Sequence, residues 1–192
     1  MALPMSALQD INTLYNKICC NNDLAAYKKL FTLLENPLIA FLKNWVGSEV
    51  IAEELYSDLF IKIWVKRNTL PATASPLSYI YTMAKNLALD FQKKQRIENS
   101  IDFNNTDHLF IRDQGPTPEE KVISKEMVRK IEFAVNELPD RCKLIFKLIK
   151  EDGLKYKEVA TLLGISVNTV EVQMGIALKK VAASVKFNTT LS

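Results

Sequence analysis

Three groups of side chains in this sequence have types and spacings suited to recognition chemistry. Between Pro76 and Arg96, the cations Lys85, Lys93, Lys94 and Arg96 and the amide of Asn86 alternate with the rings of Tyr79 and Tyr81. Cations answer phosphates and rings give unstacked bases a platform, so this mixture suits a single strand, although a solvated amphipathic helix carries the same charges. Further along, Ser166, Asn168, Thr169, Glu171 and Gln173 follow one another at the start of a helical pattern, a short way after Lys155 and Lys157. Polar side chains near a helix N-terminus are placed to read base edges in the major groove, and the lysines are placed to reach phosphates. The third group is acidic: Glu49, Glu53, Glu54 and Asp58 lie ahead of Lys62 and the aromatic end at Phe60 and Trp64. Like charge would repel DNA there, so that face suits a basic protein partner.

Catalytic chemistry has almost no support. The single histidine, His108, lies without a carboxylate–nucleophile arrangement in an Asn- and Asp-rich segment, and no Gly-rich phosphate loop or Ser nucleophile elbow is present. The three cysteines, Cys19, Cys20 and Cys142, have neither Cys-x-x-Cys nor Cys/His spacing, so reduced thiols are expected, and neither a metal nor a cofactor is. The sequence also lacks a leader pattern and any run of 18 apolar residues, which leads to the expectation of a non-enzymatic, cytoplasmic protein without membrane insertion.

The elements that must position these groups read as helices throughout. Apolar content is 48 %, glycine is scarce, and strand-like alternation is missing, which favours an all-α class. Leu24, Tyr27, Leu30, Phe31 and Leu34 make one helical face, and Leu38, Phe41, Leu42 and Trp45 the next. Ile51, Leu55, Leu59 and Ile63 line a third helix; Ile80, Met83, Ala84, Leu87 and Phe91 line a fourth, started by Ser75 as cap and Pro76 at the first position. In GLKYKEVATLLGISVNTVEVQMGIALKK, Gly153–Lys180, two short helices flank a tight turn at Gly164, the pattern of a helix-turn-helix. Val159, Ala160 and Leu163 face inward on the first, and Val170, Met174, Ala177 and Leu178 on the second, with Ser166 as its N-cap.

Residues 98–117 show no sustained helical period and contain Gly-Pro-Thr-Pro, so they read as a linker between an N-terminal domain at 1–97 and a C-terminal domain at 118–192. Thr117-Pro118-Glu119-Glu120 then has the form of a helix start. Charge follows the same division: 1–97 has 11 basic and 8 acidic residues, 118–192 has 13 and 10, and the linker has 1 and 4. Two mildly basic blocks joined by an acidic connector suit a two-domain polyanion binder. Ile101, Phe103, Leu109, Phe110 and Ile111 are candidate docking points within the connector.

Taken together, these blocks resemble the extracytoplasmic-function, or group IV, sigma factors of bacterial RNA polymerase. AEELYSDLFIKIW, Ala52–Trp64, is similar to the helix of region 2.2 that binds the polymerase clamp. PLSYIYTMAKNLALDFQKKQR, Pro76–Arg96, resembles regions 2.3 and 2.4, and LPDRCKLIFKL, Leu138–Leu148, followed by the helix-turn-helix resembles region 4. Ser57 stands where the family usually has Gln, Tyr79 where Trp is frequent, and Lys155 where a Ser or Thr cap is usual.

The resemblance implies two helical domains on a flexible acidic linker, with core RNA polymerase and promoter DNA as partners. It also implies control by an anti-sigma factor, often a membrane-anchored one. Glu53, Glu54, Asp58 and Lys62 would bind core enzyme. Arg67 and Asn68, in a loop that holds a flipped-out base in this family, would serve the −10 element with Tyr79, Tyr81, Lys85, Asn86, Lys93, Lys94 and Arg96. Lys155, Lys157, Ser166, Asn168, Thr169, Glu171 and Gln173 would serve the −35 element. The alternative is a conventional dimeric helix-turn-helix regulator.

Overall fold

The computed structural model describes residues 5–98 and 124–186, and the linker, its apolar docking points, His108 and the Thr117–Glu120 helix start lie outside them. The described residues are helical and contain no strand, and they fall into two compact units.

In the first unit, α1 (Met5–Asn21) buries Ile11, Tyr15 and Ile18, spaced as one helical face. α2 (Leu24–Val46) starts at Asp23, whose Oδ1 accepts the N–H groups of Ala25 and Ala26 at 2.9 Å. It ends at Gly47, in the left-handed conformation with φ 71°, whose N–H donates to the Lys43 carbonyl at 2.8 Å. Ser48 caps α3 (Glu49–Lys66), and a 2.7 Å ion pair from Lys43 to Glu49 spans the turn. A 3-10 turn (Arg67–Thr69) and a loop lead to α4 (Pro76–Glu98).

Two expectations change here. The faces at 24–34 and 38–45 belong to a single helix, although Pro37 lies inside it. Proline removes one backbone hydrogen bond and costs about 3 kcal/mol. Leu34, Leu38, Phe41 and Leu42 continue one buried face across it, at about 1.5–3 kcal/mol per large side chain. That burial outweighs the break, whereas Leu24, counted in the same stripe, is exposed at the first turn. On α4 Pro76, Leu77, Ile80, Tyr81, Ala84 and Ala88 are buried, so the inward stripe is rotated from the expected one, and Met83, Leu87 and Phe91 are half-buried. The small Ala84 and Ala88 are fully buried on the inner side of α4, and the Gln92 side-chain amide donates to the Trp45 carbonyl of α2.

The second unit comprises α5 (Ser124–Asn136), α6 (Asp140–Lys150), α7 (Tyr156–Leu163) and α8 (Val167–Lys186). Val135, Leu138, Ile145, Leu148, Val159, Leu162, Val170, Met174 and Ala177 build its core. Cys142 is buried among them, and its thiol donates to the Gln173 carbonyl at 3.2 Å. Leu162 rather than Leu163 turns fully inward, and Leu178 is exposed.

Candidate nucleic-acid and protein interfaces

The α7–α8 pair is set by its turn. Gly164 has φ 68°, a region that L side chains enter at a cost of roughly 1–2 kcal/mol. Its N–H donates to the Thr161 carbonyl at 3.4 Å and that of Ile165 to the Ala160 carbonyl at 3.0 Å, which closes the end of α7 as a Schellman motif. Ser166 Oγ accepts the Thr169 N–H at 3.0 Å and lies 2.8 Å from the Thr169 hydroxyl, so α8 begins with its cap in place. The two helices turn through 110°, within the range for a helix-turn-helix.

Of the residues expected to read bases, Asn168 and Glu171 are exposed on α8, Gln173 is half-buried, and the hydroxyls of Ser166 and Thr169 bond each other. An Asn amide can pair with adenine and a Glu carboxylate can accept from the cytosine amine. Val172 and Ile176 are exposed beside them, an apolar patch suited to a thymine methyl. Sequence reasoning passed over both, although their positions after Asn168, at i+4 and i+8, mark the outward face. Lys155 and Lys157 are exposed at the start of α7. Lys155 has no side-chain acceptor, so the reverse half of a capping box serves instead: its backbone N–H donates to Glu158 Oε2 at 2.8 Å.

On α4, Thr82, Asn86, Lys93 and Arg96 are exposed and share one face with the half-buried Lys85; Lys94 is exposed to one side of it. The Lys85 ammonium lies 5.7 Å from the Trp45 ring centroid, so it is held by a cation–π contact at the domain surface. Tyr79 is half-buried and meets Tyr15 edge to face, with centroids 6.5 Å apart. Tyr81 is different. It is 0 % exposed, with its ring 4.9 Å from that of Phe41, so it belongs to the core and cannot stack on a base. Flanking the basic face in sequence does not fix which way a ring turns, and the rotation of the α4 stripe takes Tyr81 inward.

Before α4, Arg67 is already engaged. Its guanidinium stacks 4.4 Å over Trp64, donates through Nη1 to the Trp64 carbonyl at 2.6 Å, and donates through Nε to Asn22 Oδ1 at 2.5 Å. The neighbouring Asn68 is exposed. Thr69 spends its hydroxyl on the Lys66 carbonyl at 2.9 Å, and Thr73 Oγ1 accepts the Ser75 N–H at 3.2 Å. Within this loop Asn68 and Thr69 are the exposed polar side chains, and the Thr69 hydroxyl is already engaged.

On α3, Glu53, Glu54 and Asp58 are exposed and Lys62 is half-buried. Phe60 is buried, stacked among Tyr27, Phe31 and Tyr56, so it adds nothing to the surface. The apolar part of this face is Val50, Ile61 and Val65, all exposed. With Glu54 and Ser57 they fall at i, i+4, i+7, i+11 and i+15, a mixed acidic and apolar stripe along the helix. The Lys43 ammonium holds the Glu49 carboxyl below the usual carboxylate range.

The family model "Sigma-70 region 2" matches residues 30–97, and "Sigma-70, region 4" matches 129–181, together well over half of the chain. The chain belongs to the extracytoplasmic-function sigma factors. It is a sigma subunit that takes RNA polymerase to promoters, and a dimeric regulator is not favoured. The sigma factor is similar to the ferric citrate uptake sigma factor FecI of Escherichia coli, with 27 % identity over 137 residues, 68 % of this chain and 76 % of FecI. It is also similar to the ECF RNA polymerase sigma factor SigF of Caulobacter vibrioides, with 25 % identity over 84 % of this chain and 87 % of SigF. Its fold resembles the sigma factor RpoE solved in complex with the anti-sigma factor NepR from Bartonella quintana, with a TM-score of 0.55, 20 % identity and coverage of 84 % of this chain and 98 % of that one. The region 2 match takes in most of α2, all of α3 and nearly all of α4, and leaves α1 outside. The region 4 match takes in α6, α7 and most of α5 and α8. Among the described residues no single helix is long and apolar enough to cross a membrane.

Proposed function

We propose a division of labour in which residues 1–97 bind core polymerase and open the −10 element, 118–192 read the −35 element, and 98–117 connect them. The α3 stripe of Val50, Glu53, Glu54, Ser57, Asp58 and Ile61 meets the polymerase clamp, where acidic groups pair with a basic surface and Ile61 supplies apolar burial. Asn68 and the half-buried Tyr79 take the melted −10 strand, while Lys85, Asn86, Lys93, Lys94 and Arg96 follow its backbone. Asn168, Glu171 and Gln173 read −35 bases, and Lys155 and Lys157 hold the phosphates. The protein works as a non-catalytic subunit in the cytoplasm, and an anti-sigma factor controls it by covering these surfaces.

One observation carries the reading: the capped α8 stands at 110° to α7 with Asn168 and Glu171 exposed near its N-terminus, while its exposed cations, Lys179 and Lys180, lie far along the helix. So few phosphate contacts give a short salt-dependent grip, and core enzyme has to supply the remaining affinity. Transcription in vitro from genomic fragments, with and without this chain added to core enzyme, tests it. Promoter-specific transcripts that need both, with weak duplex binding by the isolated chain, are expected. Tight sequence-specific binding without polymerase, or no transcript with it, would refute the proposal.

A further inference from the structure

The 67–75 loop is tied to the rest of its unit by two long-range hydrogen bonds, and both come from the N-terminal helix or the turn after it. The Tyr15 hydroxyl on α1 donates to the Pro71 carbonyl at 3.1 Å, across 56 positions of sequence. Asn22, between α1 and α2, takes the Arg67 Nε–H at 2.5 Å, across 45 positions. Asn22 has φ 52°, a left-handed conformation that asparagine tolerates better than most residues and that places its side chain at the turn. The loop's own bonds, from Thr69 to Lys66 and from Ser75 to Thr73, span only two or three residues and cannot fix it against the helices. The ring of Tyr15 is buried and also meets Tyr79 at the start of α4, so one side chain touches both the loop and the first turn of the helix that follows it. Burial pushes the Tyr15 phenol well above its ordinary range, which keeps it a neutral donor. These contacts leave Asn68 exposed between the two ties, and Ala72 and Ala74 exposed just after the second.

We infer that α1 and its turn are the template for this loop, with Tyr15 and Asn22 acting as positioning residues for capture of the −10 base. The inference rests on the loop's proposed role above. It assigns a task to a segment that lies before the region 2 match. A pocket that receives an unstacked base works only if it is ordered before the base arrives, because ordering it at that moment subtracts from binding. Tyr15 and Asn22 supply that order without touching the DNA.

The test uses full-length chain with core enzyme on a promoter that the unaltered chain transcribes. Tyr15→Phe removes the donor and keeps the ring. Asn22→Gly removes the acceptor and keeps the positive φ, and Asn22→Asp restores an acceptor. Open complex is read by permanganate reactivity of −10 thymines, and selectivity by transcription with each base in turn at the captured position. Tyr15→Phe and Asn22→Gly should each lower open complex about fivefold, as expected for one hydrogen bond, and flatten the base preference. Core affinity should stay unchanged, and Asn22→Asp should recover both readouts. Undiminished opening with intact base preference in Tyr15→Phe and Asn22→Gly would overturn the inference. So would a matching loss of core affinity in both, since α1 would then merely hold the fold. Failure of the unaltered chain to open any promoter would instead bring down the proposed function itself, and the template role with it.

Discussion

Two isoleucines on α3 separate partner binding from folding. Ile61 is 58 % exposed on the acidic and apolar stripe, whereas Ile63, two positions on, is 0 % exposed in the core. Burying an isoleucine completely is worth about 1.5–3 kcal/mol, so the surface that Ile61 still offers a partner is worth about 0.9–1.7 kcal/mol. Alanine keeps the first methyl group, which brings the expected loss for Ile61→Ala to about 1 kcal/mol, roughly a fivefold weaker complex with core enzyme. Its stability should move by less than about 0.5 kcal/mol. Ile63→Ala opens a cavity and should cost about 2–5 kcal/mol, a fall in Tm of at least about 8 °C for a unit of this size. Fluorescence anisotropy of labelled chain titrated with core enzyme gives the first quantity, and thermal unfolding followed by circular dichroism gives the second. Unchanged core affinity in Ile61→Ala, or a melting shift equal to that of Ile63→Ala, would refute the assignment of this face.

The α8 face offers a second comparison: Asn168→Ala should cost about 1–3 kcal/mol and relax preference at one −35 position, while Lys155→Ala should weaken binding to all sequences and lower the salt slope by about one, both read by holoenzyme titrations at several salt concentrations. A Cβ at Gly164 or at Gly175 meets nothing within 4 Å, but Gly164 alone has positive φ. Gly175→Ala should therefore raise the thermal midpoint through about 1 kcal/mol of helix propensity, and Gly164→Val should lower it; equal shifts in the two melts would contradict the backbone argument. Cys20 is exposed and Cys142 buried, so a thiol reagent should label Cys20 rapidly and reach Cys142 only on unfolding, as mass spectrometry of timed samples would show. Burial raises the Cys142 thiol above its ordinary value of 9.0, so the unfolded chain loses this proton first. Its contribution to stability is complete below about pH 9 and declines as pH rises toward the folded value, and denaturant titrations above pH 9 should show a smaller decline in Cys142→Ala.

Much of this protein was legible in its residues because the relevant forces are local. Gly164, Ile165 and Ser166 specify a left-handed stop and a capped restart within three positions, whatever surrounds them. The order of three chemically distinct blocks pointed to the family. The tertiary structure decided which way each helix turned. Pro37 reads as a break until the burial of Leu34, Leu38 and Phe41 on one face is weighed against it. Tyr79 and Tyr81 look alike on the chain, yet packing against Phe41 takes one into the core and leaves the other at the surface, because helical periodicity fixes relative but not absolute rotation. On α3, by contrast, the apolar spacing already set Ile63 on the inward stripe, and it is buried while Ile61 is exposed. The ties from Tyr15 and Asn22 to the 67–75 loop bridge about fifty positions, and no local preference encodes a hydrogen bond between groups that only the folded chain brings together.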